Sequence, residues 1–126
     1  MGGSETDQNT DNCSMFGAFN LKPEYDLATF QTAFDGFCNH LKKSGHLKSH
    51  RLWRRAYHEG YDTRFPDAGI VIEMCFPSYQ ASLDAWDYVE EHTEPIRRLH
   101  VEMNKQVSAT HFVLLREVTE QPAGLK

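Results

Sequence analysis

The sequence has no long hydrophobic run. Its longest apolar stretches, near Gly69–Phe76 and Phe112–Leu115, are strand-length, whereas a membrane-crossing helix needs about 20 apolar residues. No membrane partner is therefore expected. The N-terminus lacks a basic segment followed by an apolar one, so it does not read as a secretory signal. Cysteine is scarce: Cys13, Cys38 and Cys75 lie far apart and form no CxxC pair. That pattern speaks against a disulfide framework and suits a reducing, cytoplasmic setting. Basic charge is also short, with 13 Lys and Arg against 18 Asp and Glu, for a net charge of −5. Three of the acids, Glu5, Asp7 and Asp11, fall in the first twelve residues, which hold no Lys or Arg, so the remainder is near −2. A nucleic-acid partner is not expected, because it requires a concentrated basic face. There is no glycine-rich phosphate loop, no HExxH, and no cluster of Cys and His, so neither a nucleotide cofactor nor a metal is expected.

What remains is an ordinary globular composition, with 40% hydrophobic and 25% charged residues in 126. That length predicts one domain able to bury a core unaided. Residues 1–12 are polar apart from Met1, and predict a disordered tail. The opening Met1-Gly2-Gly3-Ser4-Glu5-Thr6 formally fits a myristoylation pattern, but no basic cluster follows to provide a second membrane signal. The domain is expected over residues 13–118, followed by a polar tail at 119–126.

Within the domain, Cys13–Leu21 alternates as a strand and Lys22-Pro23 ends it. Asp26 is placed to cap a helix reaching Lys43, whose Leu27, Phe30, Phe34, Phe37, Cys38 and Leu41 make one apolar stripe. His50–His58 reads as a second strand and Gly69–Phe76 as a third, joined by the Gly-, Asp- and Pro-rich Glu59–Ala68. A helix from Ser78 or Tyr79 to about His92 carries Leu83, Trp86 and Val89 or Glu90 at helical spacing. Thr93-Glu94-Pro95 restarts a helix, with Thr93 expected as its cap, and Val107–Val118 is the last strand. This order predicts an α+β fold: a ferredoxin-like βαββαβ unit, with a four-stranded antiparallel sheet and its helices on one face. The other face carries Val71, Glu73 and Cys75. That mixture suits cover by a second copy, so a homodimer is expected.

Three stretches carry a resemblance: Arg51-Leu52-Trp53-Arg54-Arg55, Ile70-Val71-Ile72-Glu73, and Thr93-Glu94-Pro95-Ile96 running on to Leu99-His100 and Asn104. Over roughly Phe16 to Glu117 the chain resembles the dimeric α/β-barrel superfamily of ferredoxin-like proteins. Within it, the chain looks like a family of short, uncharacterised bacterial proteins, from which it departs in the longer Glu59–Ala68 loop and the acidic tail. The resemblance implies a dimer whose sheets enclose a cavity. The superfamily includes cofactor-free monooxygenases, isomerases, polyketide cyclases, haem-degrading enzymes and members without catalysis, and the fold does not choose among them.

Glu73 interrupts an apolar strand. Either it pairs with Arg51 or Arg55 of the neighbouring strand, or burial raises its pKa toward the range of a general acid or base. Arg54 and Arg55 lie on opposite strand faces, so one is aimed to clamp an anionic oxygen while the other reaches water. His100 and Asn104, four residues apart, share a helix face: an acid/base imidazole with an orienting amide, or a histidine packed at the helix–sheet seam. Trp53 and Tyr57 share a strand face as an aromatic ligand wall or an interface anchor. His111 faces Glu73's cavity or the dimer seam. The expected function is acid/base chemistry on a small hydrophobic, cyclic or polyketide-like molecule, by isomerisation, cyclisation or cofactor-free oxygenation. Glu73 and His100 would move protons, with Arg55 and Asn104 on the substrate. The alternative is a non-catalytic ligand-binding or assembly module. A third reading, haem bound through one histidine, has no positive sign in the sequence.

Overall fold

A computed structural model describes residues 12–91 and 93–118 of the chain. The tails expected from the sequence and His92, the expected end of the second helix, lie outside the described residues. The elements run β1 (Cys13–Leu21), α1 (Leu27–Lys43), β2 (Ser49–Arg54), β3 (Ile70–Phe76), α2 (Tyr79–Glu90), α3 (Ile96–Asn104) and β4 (Val107–Arg116). The strands form one sheet in the order β2-β3-β1-β4, with every neighbouring pair antiparallel. This is the ferredoxin-like arrangement that the alternation of strands and helices predicted.

The longest helix is set by its own sequence. The Asp26 carboxylate accepts the Thr29 N–H at 2.8 Å, satisfying one of the donors that a helix start leaves unpaired. The same bond holds the Asp26 carboxyl below its ordinary pKa. His40, Lys42 and Lys43 lie at the negative end of the helix dipole. The apolar stripe Phe30, Phe34, Phe37, Cys38 and Leu41 is buried against Phe19 of β1 and against Ile70, Ile72, Met74 and Phe76 of β3. Phe30 stacks on Phe34 and meets Phe19 edge-on. Burial raises the pKa of the Cys38 thiol, which keeps it protonated and unreactive.

α2 starts where Ser78 Oγ accepts the Ala81 N–H at 3.0 Å. α3 starts two residues later than Thr93 would place it. Its N-cap is Pro95, with no side-chain cap bond. The Glu94 carboxylate instead accepts from the Arg98 N–H and from Arg97 Nε. A carboxylate reaching forward over the first turn thus does the work expected of the Thr93 hydroxyl.

β2 is also shorter than the sequence suggests. Its ladder stops at Arg54, so Ala56, Tyr57 and His58 belong to the loop. The cause is Arg55. Its guanidinium donates to the Pro66 carbonyl at 2.8 Å and the Ala68 carbonyl at 3.3 Å, and sits 3.4 Å from the Asp62 carboxylate. It also lies over the rings of Tyr57 and Phe65. One part-buried cation thus organises the Gly- and Pro-rich connection around itself.

β4 carries a one-residue bulge. Ala18 pairs with His111 but Asn20 with Ser108, so the ladder slips by one residue between them. Ala109 takes the left-handed conformation there, with φ 54. The bulge turns Phe112 and Leu114 toward the helices and His111, Val113 and Leu115 toward the open face. A left-handed Ala costs roughly 1 kcal/mol that glycine avoids. Ala109→Gly is therefore expected to raise the unfolding free energy by about 0.5–1 kcal/mol, measured by urea denaturation. Unchanged or lower stability would show that the bulge is not strained.

Candidate functional site

The helix side of the sheet encloses a groove of about 620 Å³. Its origin lies in α2. That helix meets the core through two small side chains, Ser82 and Ala85, and small residues leave space beneath the helix on either side. The bulkier Leu83 and Trp86 of α2 stay at the surface, 37% and 67% exposed, and border the groove. Phe112 and Leu114 of β4 stand on the strand side. The floor is the core itself, including Phe19, Phe37 and Met74. The wall is mostly apolar, and its polar side chains are few: Ser82, Glu90, His100, Asn104 and Thr110. That is the composition of a small-molecule site, with an apolar wall and a few convergent polar groups.

His100, Met103 and Asn104 reach the groove together because positions i, i+3 and i+4 share a helix face. The His100 ring lies 5.6 Å from that of Phe37. Glu90 reaches the groove from the last turn of α2. No Lys or Arg is in the wall among the described residues.

Sequence reasoning gathered its candidates into one cavity, and the structure separates them. Only His100 and Asn104 border the groove. Glu73 is on the opposite face, because β3 alternates and Ile72 and Met74 take the helix side. There the Glu73 carboxylate accepts the Trp53 indole N–H at 3.1 Å. It forms no ion pair among the described residues, although Arg51 is its direct cross-strand neighbour. The Arg51 guanidinium lies 5.9 Å from the Trp53 ring centroid instead. Arg55 neither pairs with Glu73 nor enters the groove, because the loop carbonyls and Asp62 hold it. Tyr57 is an exposed loop residue beside Arg55 and builds no wall with Trp53. Arg54, opposite Ile70, takes the helix-side register but is exposed on the edge strand. His111, opposite Ala18, is on the open face, two strands away from Glu73.

Two groove features lie outside the sequence-based expectation. The sequence offers Glu90 only as a helix-face alternative to Val89, and its signal is the spacing Leu83, Trp86, Glu90. Phe112 has no signal in a single strand, because the bulge decides which way it faces. Among the described residues, no three His, Cys, Asp or Glu side chains converge as metal ligands.

Residues 14–123 match a family of unknown function, DUF6614. This chain belongs to DUF6614. No curated protein matches it. Among solved structures, the chain is similar to SnoaB, a cofactor-independent oxygenase from Streptomyces nogalater. The identity is 13%, over 89% of this chain and 98% of that one, with a TM-score of 0.61. It is also similar to a hydroxynitrile lyase from Passiflora edulis, at 11% identity over 90% and 99% of the two chains, TM-score 0.67. A third is a dimeric ferredoxin-like protein of unknown function from Jannaschia sp. CCS1, at 13% identity over 85% and 99%, TM-score 0.59. At such identities the likeness shows the fold alone. No described helix of this DUF6614 chain is long and apolar enough to cross a membrane.

Gly17 tunes the groove. A Cβ there would stand 2.6 Å from Phe112 Cε1 and 3.2 Å from Ile72 Cγ1. The Phe112 ring therefore lies directly over the glycine. Gly17→Ala is expected to lift that ring away from the sheet at a cost of about 1 kcal/mol, the low end of overpacking, because the ring is at the surface and is able to yield. A crystal structure with chemical denaturation checks this. A Phe112 ring left in place, with unchanged stability, would remove the glycine's role.

Proposed function

We propose that this DUF6614 chain is a homodimeric small-molecule enzyme that performs cofactor-free acid/base chemistry on a hydrophobic, ring-bearing substrate in the groove. The observation that carries this reading is the groove itself: about 620 Å³ of mostly apolar wall with an imidazole and an amide on one helix face. In this reading His100 accepts a proton from the substrate and returns it at a second position or to a leaving group. Asn104 holds the substrate oxygen, and the apolar wall keeps out water that would compete for the proton. Isomerisation, cyclisation and oxygenation all begin with such a proton abstraction. The reported roles of two structural neighbours, an oxygenase and a lyase, are compatible with it.

The open face supports the dimer. Leu115 is 50% exposed there and Val113, which also borders the groove, 48%, with the half-buried Val71 and Cys75 across β1 on the same face. A second copy laying its sheet across this face buries them, and the Jannaschia neighbour is described as dimeric. Glu73, Trp53 and His111 then belong to the enclosed space between the sheets, and not to the groove. The three free thiols suit a cytoplasmic setting.

The test is turnover. Fused-ring phenolic ketones assayed by oxygen uptake, and aromatic cyanohydrins assayed by cyanide release, cover the two chemistries of the neighbours. His100→Ala is expected to lower kcat about 100-fold or more with KM little changed. Full activity in that variant would end the assignment. Turnover of no panel member, together with tight binding of one, would favour the non-catalytic module instead. The absence of Lys and Arg from the described groove wall, which leaves no cation for an oxyanion, supports that second reading. For the dimer, Leu115→Glu is expected to shift the mass measured by light scattering from two chains to one. A wild-type protein of single-chain mass at micromolar concentration would overturn the dimer.

A further inference from the structure

The groove has a sign as well as a shape. The stretch Tyr79–Glu91, which contains α2, carries Asp84, Asp87, Glu90 and Glu91 and no Lys or Arg. Glu90 borders the groove in the last turn, where the helix dipole adds negative potential. Trp86 stands one helical turn before it on the same face, so the carboxylate and the indole are neighbours. Glu90 enters no ion pair among the described residues.

Arg97, Lys105 and Arg116 are engaged elsewhere. Arg97 and Arg98 border a different surface of α3, together with Glu94 and Glu102. There Arg97 pairs with Glu94, and Lys105 with Glu102. Arg116 lies over Tyr79, at the other end of α2. Eleven residues of helix separate Tyr79 from Glu90, about 16 Å at 1.5 Å per residue, beyond a screening length of about 8 Å at physiological salt. His100 is the other titratable group in the wall.

Taking the groove as a ligand site, we propose that its ligand is an apolar organic amine, bound as the ammonium ion between the Glu90 carboxylate and the Trp86 ring. Each part of the wall has a partner in such a molecule. The carboxylate meets the charge, the indole face attracts a cation placed over it, and the apolar wall buries the hydrocarbon. A ligand carrying a carboxylate would bring a second negative charge to Glu90 with no Lys or Arg in the described wall to receive it.

Calorimetric titration of the full chain with three matched probes tests this: naphthylmethylamine, naphthalenemethanol and naphthoate, at pH 8, above the ordinary imidazole range. The expected order of affinity is amine, alcohol, acid, with the amine at least tenfold tighter than the acid. Glu90→Gln, at an exposed position, is expected to weaken the amine at least fivefold and leave the alcohol unchanged. Added salt should weaken the amine alone. If the alcohol binds but the three probes do not differ, or Glu90→Gln leaves the amine untouched, the charge preference is overturned and the groove as a ligand site stands. If none of the three binds, both fail.

Discussion

The packing of α1 on β1 and β3 is the constraint from which the other features follow. Three phenylalanines at helical spacing, Phe30, Phe34 and Phe37, need an apolar partner of equal length, and β3 supplies it with Ile70, Ile72, Met74 and Phe76. Burying large aromatic and branched side chains is worth roughly 1.5–3 kcal/mol each, which makes this seam a large favourable contact. Once these four β3 side chains are committed to the helices, strand alternation sends Val71, Glu73 and Cys75 to the other face. The open face and its half-buried carboxylate are thus by-products of the core.

The groove has a complementary origin. α1 fills its half of the sheet with rings, whereas α2 covers the other half through Ser82 and Ala85. The space between α2, α3 and β4 is therefore set by side-chain volume rather than by a loop. Four of the five polar groups that border it come from two helices, and the fifth, Thr110, comes from β4. This gives the site a rigid frame, with His100 and Asn104 one turn apart on α3 and Glu90 on α2.

The fold was legible because its signals are periodic. The α1 stripe, the β3 alternation and the Asp26 cap each rest on local rules that tertiary packing reinforced. The site was legible only where it shared those rules: His100 and Asn104 lie on one helix face, and both border the groove. Convergence was legible only in the negative: Glu73 and His100 are on opposite sides of the sheet, which follows from β3 alternation once the helices share one face. Arg55 was read as a strand residue because alternation continued through it. Its true partners, the Pro66 and Ala68 carbonyls and Asp62, belong to a loop whose path no periodicity describes.

The bulge at Ala109 gives β4 one residue beyond what its ladder with β1 needs. Downstream of it, every residue faces the way its neighbour would have faced in a regular ladder. Removing that extra residue would restore a regular ladder with His111 still opposite Ala18, so Phe112 and Leu114 would keep the groove side. Groove side and open face are thus written on alternate letters of the same ten-residue word. A residue gained or lost in the regular stretch after His111 would exchange the two sides beyond it, whereas the bulge has a letter to spare.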